Sequence, residues 1–474
     1  MAQAPSRPPH PARPPRGAAA AALFLGLALL RAAPGAAAIV GREPPARILV
    51  VEDHSEALCE WYRAGLRGVP LIHVDAHHDF FSPGRRIRHD LEAIRRAFET
   101  ASCEALRPRV GDLARSDALF HVGDFVYPAF RLGVVSELWW VIPTRRTLPA
   151  EEFEAFRAWL QDHWDFPDDF METLRYDGRV VRGEFQGMPV RLVTLGDLPE
   201  LGRPALLDID VDYFVELYDN PVKESMLDLL GWFYQELRRG RIQSDFVTVA
   251  ASVNGGYTPL RFKYLVDRVR ELIAEPDRFA GGPPEAWRLQ SRIEYLDFML
   301  ARGEALAETR RLAELTPASP VPYYDRAWIW ANRADVEQVE VALAQAVARD
   351  PSYRMGYVGL GKYLYDTGRP QESFALVREG RARHPDFLPI ALALADFHVE
   401  RGEFAQAVAL FRSLLESHAQ VPILHAGLAE AYYGLGDTEA ARTHTRLYRS
   451  LATPGTARDR ALERIRKRAE GGKR

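Results

Sequence analysis

The stretch Val69-Pro70-Leu71-Ile72-His73-Val74 runs directly into Asp75-Ala76-His77-His78-Asp79. An almost unbroken apolar run of this length reads as a strand buried on both faces in a parallel sheet, with helices packed above and below. The pattern recurs twice. Arg47-Ile48-Leu49-Val50-Val51 closes on Glu52-Asp53-His54, and Pro204-Ala205-Leu206-Leu207 closes on Asp208-Ile209-Asp210-Val211-Asp212. Amphipathic segments at Leu91–Ala101 and Glu151–His163 supply covering helices. Open α/β sheets bind ligands just beyond the carboxyl ends of their strands, and all three polar clusters fall there.

Carboxylates and imidazoles grouped in this way suit hard or borderline divalent metals. On an extended strand end, alternate side chains share a side, so Asp75, His77 and Asp79 are expected to point together, as are Asp208, Asp210 and Asp212. Crowded carboxylates repel one another and hold protons unless a cation neutralises them. With His54 the clusters offer enough donors for two ions about 3.5–4 Å apart, a spacing that lets a bridging water become a nucleophile near neutral pH. Either acidic motif alone also fits a turn whose acids cap the next helix. Two in the same strand context, with His54 beside them, favour the metal site.

The C-terminal third repeats every 34 residues. Gly368, Gly402 and Gly436 keep that period, as do Gly361, Ala395 and Ala429, then Ser373, Ala407 and Ala441, and the prolines at 317, 351 and 385. Ala327 and Ala334 carry the pattern one unit earlier. Small residues let paired helices approach, glycine makes the turn between them and proline ends the second. This resembles tetratricopeptide repeats over roughly residues 318–452.

The N-terminal motifs resemble the arginase–deacetylase (ureohydrolase) superfamily. Glu52-Asp53-His54-Ser55 is similar to its first motif, G-G-D-H-S; Asp75-Ala76-His77-His78-Asp79 is similar to its second, D-A-H-x-D. Asp208-Ile209-Asp210-Val211-Asp212 is similar to its third, S-F-D-x-D, or to the D-x-D-x-H of deacetylases. The wording is closest to the peptide-arginase branch, whose members convert arginine side chains within peptides to ornithine and release urea. The resemblance implies that Asp75 and Asp210 bridge two manganese ions, that His54 and Asp79 complete one site, and that His77 and Asp212 complete the other. Asp208 would support these ligands without binding metal.

One departure concerns the substrate. Arginases carry a glutamate on a later strand that grips the guanidinium, whereas Val247 to Asn254 holds no carboxylate. Asn254 is the nearest polar substitute, with Asp124 or Glu137 as alternative sources of charge. Gly255-Gly256-Tyr257-Thr258 resembles the G-G-Y-T of deacetylases, whose tyrosine steadies an oxyanion. His121 and His78 are candidate proton shuttles; a loop histidine held by its neighbours is the plainer reading of the first.

Basic residues at 7, 13 and 16, an apolar stretch from Ala18 to Leu30 and the small-residue end Ala36-Ala37-Ala38 fit a secretory signal. The stretch is short for a membrane span. This implies export to a periplasm or the exterior, or an N-terminal anchor that alone touches membrane; a chain whose leader is not a signal stays cytoplasmic. Net charge is −4, and removing the four arginines of residues 1–38 from the 61 basic residues leaves 57 against 65 acids. A mildly acidic body gives no reason to expect nucleic acid. Two cysteines, Cys59 and Cys103, are expected as buried free thiols, with a single disulfide in an oxidising compartment.

The expected order is therefore a leader (1–38), a three-layer α/β arginase-like metallohydrolase domain (46–280), an all-α tetratricopeptide solenoid (285–452) and a basic tail (453–474). The expected activity is hydrolysis of arginine side chains in a peptide or protein held by the repeats. A zinc deacetylase or amidohydrolase on the same fold, and a non-catalytic repeat module, are the alternatives.

Overall fold

The computed structural model describes residues 37–81, 90–107, 109–110, 113–333, 335–452 and Leu462. The leader through residue 36 and the basic tail lie outside the described residues, apart from Leu462. Ala37 and Ala38, assigned to the leader above, are buried, and the Ala38 amide donates to Asp245 Oδ1 at 3.0 Å.

The first half is an α/β layer structure. Its strands are β1 (Arg47–Val51), β2 (Val69–Val74), a short hairpin of β3 (Arg109–Val110) and β4 (Leu113–Ala114), β5 (Val135–Val141), β6 (Arg175–Asp177), β7 (Val180–Phe185), β8 (Met188–Val193), β9 (Leu206–Asp210) and β10 (Phe246–Ala250). Eight of these form one sheet in the order β1-β10-β9-β2-β5-β8-β7-β6. From β1 to β8 the pairs are parallel, while β7 and β6 add an antiparallel edge. The three motif-bearing strands are close neighbours, with β10 between β1 and β9.

The helices of this half are α1 (Ala57–Arg63), α2 (Leu91–Thr100), α3 (Val126–Arg131), α4 (Phe153–Trp164), α5 (Asp168–Thr173), α6 (Asp212–Leu217), α7 (Met226–Arg238) and α8 (Leu265–Ala274). Side chains of a buried strand alternate between its two faces. Leu71 and Leu206 accordingly join the apolar cluster of α1 to α5, whereas Ile72, Val74, Leu207 and Ile209 join that of α7 and α8. His73 and Asp208 interrupt the first of these faces. They are register partners, and Thr248 is the partner of Asp208 on the next strand, so a polar row crosses three neighbouring strands.

Five helix pairs follow: α9 (Glu285–Phe298) with α10 (Arg302–Leu315), α11 (Val321–Ala331) with α12 (Val336–Arg349), α13 (Met355–Asp366) with α14 (Pro370–Arg383), α15 (Leu388–Glu400) with α16 (Phe404–His418), and α17 (Pro422–Leu435) with α18 (Thr438–Leu451). The periodic glycines 368, 402 and 436 make the turns within three pairs, with φ of 80°, 74° and 79°, a conformation that costs glycine least. One apolar cluster runs from Val249 of the sheet through Leu272 of α8 to Tyr324, Leu360 and Leu394 of the repeats, so sheet domain and repeats share a core. Among the described residues no helix is long and apolar enough to cross a membrane.

Cys59 and Cys103 form a disulfide with Cα atoms 5.6 Å apart, which corrects the expectation of free thiols. Packing of α2 against α1 brings the loop after α2 back over Cys59, a proximity that their separation of 44 residues does not reveal.

Candidate metal centre

The clusters meet where β1, β10, β9 and β2 end. Their convergence arises from turns, not from continued strands as expected above. β2 stops at Val74, the His77 amide folds back onto Asp75 Oδ1 at 2.6 Å, and Asp79 takes a left-handed φ of 51°. On the neighbouring strand the Asp212 amide donates to Asp210 Oδ1 at 3.0 Å and opens α6. Short aspartate side chains favour such local turns.

Two donor groups result. His54, His73, Asp75 and Asp79 form one, and Asp75, His77 and Asp212 form the other, each with donor atoms within 4.8 Å of one another. Asp75 belongs to both. His54 Nδ1 lies 3.1 Å from Asp75 Oδ2, and its Nε2 contacts Asp79. His77 Nδ1 lies 2.9 Å from Asp212 Oδ2. Asp210 sits beside the first group, 3.7 Å from His54 Nδ1, and accepts a hydrogen bond from Ser252. Ser252 and Asp79 are two of the five non-glycine residues at positive φ among the described residues; such strain persists where the surroundings over-determine it, often at functional sites.

His73 is the member that the sequence reading passed over. It is fully buried, its Nδ1 is 2.9 Å from Asp208 Oδ2 and its Nε2 is 3.3 Å from Asp75 Oδ2. The signal was available, because an ionisable residue inside an apolar strand shares a face with the residue two positions on. Asp208 contacts His73 from the neighbouring strand.

Without a cation the cluster keeps its charges balanced with protons. Burial opposes a charge on His54, but Asp79 and Asp75 outweigh it and raise its pKa well above the usual imidazole range. His77 follows the same balance, reaching about 12 through Asp212 and Asp75. Burial, Asp212 and Asp75 push Asp210 well up, and burial with Asp75 lifts Asp212 to about 6. The buried atoms His54 Nδ1, His73 Nε2, Asp75 Oδ2 and Asp79 Oδ2 make no well-aligned hydrogen bond and crowd against one another, His54 Nδ1 and His73 Nε2 lying 3.1 and 3.3 Å from Asp75 Oδ2. They come from the four residues of the first group. Buried polar atoms are seldom left so, and imidazole nitrogen with carboxylate oxygen fits a divalent ion.

A cavity of about 160 Å³ opens onto His54, His77, Asp79, Asp210 and Asp212, walled by Phe81, Trp164 and Tyr257. Tyr257 stacks edge-on at 4.9 Å from His77, and burial, then Asp79, keeps its phenol protonated. His78 lies behind, ringed by Phe80, Trp140, Trp164 and Phe166; burial, then His77, drops it to about 3. A neighbouring cavity of about 100 Å³ shares Tyr257 and is lined by Glu52, Asp53, Glu56, Arg107, Arg109 and Asn254. Glu52 Oε1 accepts the Asn254 amide at 2.6 Å, and burial lifts Glu56 to about 7 although Arg107 lies 3.0 Å away.

Three expected residues are placed elsewhere. His121 caps a short 3-10 turn reciprocally with Asp124, whose Oδ1 accepts the His121 amide at 2.8 Å. Glu137 pairs with Arg203 along β5. None of the three lines either cavity.

The tetratricopeptide repeat family model matches residues 364–426 and 399–449, so the C-terminal region carries tetratricopeptide repeats. Similar solved structures include PilF of Pseudomonas aeruginosa, at 18% identity over 40% of this chain and 86% of that one, with a TM-score of 0.27. YrrB, a tetratricopeptide-repeat protein with an unusual peptide-binding site, is 12% identical over 40% and 96%, also at 0.27. A thermophilic tetratricopeptide-repeat protein of Thermus thermophilus is 18% identical over 38% and 98%, at 0.24. No curated protein matches the chain.

Proposed function

We propose that the α/β domain is a binuclear metal hydrolase of C–N bonds of the arginase–deacetylase type, acting on arginine side chains of a peptide or protein. The observation that carries this reading is the buried group of imidazole nitrogens and carboxylate oxygens crowded against one another at the strand ends. Clustered carboxylates are costly without a counter-charge. The resemblance of the three motifs supports the same reading. Manganese suits the oxygen-rich donor set, with zinc as the alternative.

His54, His73 and Asp79, sharing Asp75 with His77 and Asp212, would hold the ions. Bound there, they would supply Lewis acidity and a water of lowered pKa. The chain's own groups do the rest. Trp164 and Phe81 give the cavity apolar walls. Tyr257 would donate a hydrogen bond from its phenol to the developing negative charge, because its raised pKa keeps the proton in place. His78, neutral and enclosed, holds the loop by accepting the Phe80 amide at 3.3 Å. For the guanidinium, Glu52 and Glu56 line the adjoining cavity beside Asn254 and take the acidic role that Asp124 was expected to fill, since carboxylate meets guanidinium bidentately. The leader and the Cys59–Cys103 disulfide support export.

A second reading has its own support. The family match falls on the repeats alone, which favours a non-catalytic protein-interaction module. Metal stoichiometry on the purified chain, loaded with manganese and separately with zinc, separates the readings. Two manganese ions together with urea release from arginine peptides support the proposal. One tight zinc and activity on acylated amines point to a deacetylase. No specific metal leaves the interaction module.

A further inference from the structure

One segment of the α/β domain touches both the smaller cavity beside the metal centre and the distal repeats. At its near end Arg109 lines the smaller cavity, and its Nη2 donates to the Asn254 carbonyl at 3.4 Å. Asn254 lies in the turn that also carries Ser252 and Tyr257. Four residues on, Leu113 is buried in the apolar cluster of the last repeats, with Leu388 and Leu392 of α15, Phe411 of α16 and Leu424 of α17. Beyond it Ser116 donates to the Gln420 carbonyl in the turn between α16 and α17, from its amide at 2.9 Å and its hydroxyl at 3.0 Å. The two contacts bridge 304 residues of sequence. Upstream the segment is tied down again, by the Cys103–Cys59 disulfide and by Arg107 against Glu56.

We infer that the last two repeats set the position of Arg109 at the mouth of the cavity, with Leu113 and Ser116 as positioning residues, and that Arg109 meets a carbonyl of the bound peptide's main chain. The inference rests on the hydrolase reading for the peptide, but its mechanical half stands without it. A buried leucine anchor and a doubly accepted carbonyl fix a segment in a way that an exposed loop does not. The repeats thereby form part of the site's construction, besides offering a surface of their own.

The test uses the full chain carrying Leu113→Asp, with Leu113→Ala as the milder companion should the first fail to fold. Losing the anchor should speed tryptic cleavage after Arg115 by about tenfold or more, since cleavage tracks local opening. Amide exchange over residues 252–257 should also accelerate, while β9 and the manganese stoichiometry stay as in the wild type. With an arginine peptide, KM should rise and kcat hold. Arg109→Ala should reproduce the KM effect with cleavage after Arg115 unchanged. Unchanged cleavage in both Leu113 variants overturns the inference, and so does faster cleavage with unaltered exchange at residues 252–257. If the wild type hydrolyses no arginine peptide, the hydrolase reading fails by itself, and the exchange result still decides whether the repeats hold the cavity mouth.

Discussion

Asp325→Asn should make this protein more stable in mild alkali and leave it nearly unchanged in acid. Asp325 lies on α11, only 6% exposed, where the sheet domain meets the repeats. Gln290 Nε2 donates to its Oδ2 at 2.9 Å, and the Tyr264 hydroxyl donates to Glu294 at 2.6 Å nearby. Burial, then the neighbouring charge of Glu294, lifts the Asp325 carboxyl from 3.8 to about 7, against the pull of Gln290 and Arg261. The folded chain therefore keeps a proton that the unfolded chain releases near pH 3.8. Over that interval the native state binds more protons, so stability falls as pH rises, from full below about 4 to lost above about 7. A gap of about 3 pH units corresponds to roughly 4 kcal/mol, an upper figure because Glu294 and Asp297 titrate in the same surroundings. Asparagine keeps the size and the acceptor for Gln290 but never ionises. Calorimetric scans of variant and wild type at pH 4.5 and pH 8 measure the difference. An advantage of about 2–4 kcal/mol for the variant at pH 8, or several degrees in Tm, should shrink to about 1 kcal/mol or less at pH 4.5. A variant less stable at pH 8, or a difference independent of pH, would refute the reasoning.

Three further outcomes are expected. Because Asp75 belongs to both donor groups, Asp75→Ala should abolish metal retention at both, whereas His77→Ala should spare the group of His54, His73 and Asp79; equilibrium dialysis counts the ions, and equal losses in the two variants would contradict the shared ligand. Thiol titration of the unreduced, denatured chain should find no free sulfhydryl, and reduction should cost about 4 kcal/mol through the entropy of the loop that the crosslink closes. Gly427→Ala places a Cβ 2.2 Å from Phe411 Cζ, so a urea titration of the repeats should show a loss of about 1–3 kcal/mol by overpacking; an unchanged midpoint would mean that the helices shift freely.

Much of this was legible in the residues alone. Apolar runs closing on acids marked three parallel strands, and the strand-end rule put their clusters on one edge of a sheet. The 34-residue period located the repeats, whose turn glycines have the left-handed φ that the pattern demands. Periodicity and strand alternation are local properties, written within a few residues of where they act. His73 was readable by the same rule and was passed over, because it reads as part of an apolar run until Asp208 appears beside it.

Other features depend on residues distant in sequence. The neighbour order of β1, β10, β9 and β2 is a global choice, and together with the turns at the strand ends it brings His54, Asp75 and Asp210 together. Packing of α2 on α1 joins Cys59 to Cys103, and the turn at Glu52 sets acidic side chains beside Asn254 in the smaller cavity. Leu113 reads in sequence as an unremarkable loop residue; only the closure of the chain gives it the repeats to rest on. Short-range pattern thus determined which residues point inward and which helices pair. The tertiary structure decided which inward residues meet, because that depends on burying apolar faces the length of the chain apart, which no local spacing records.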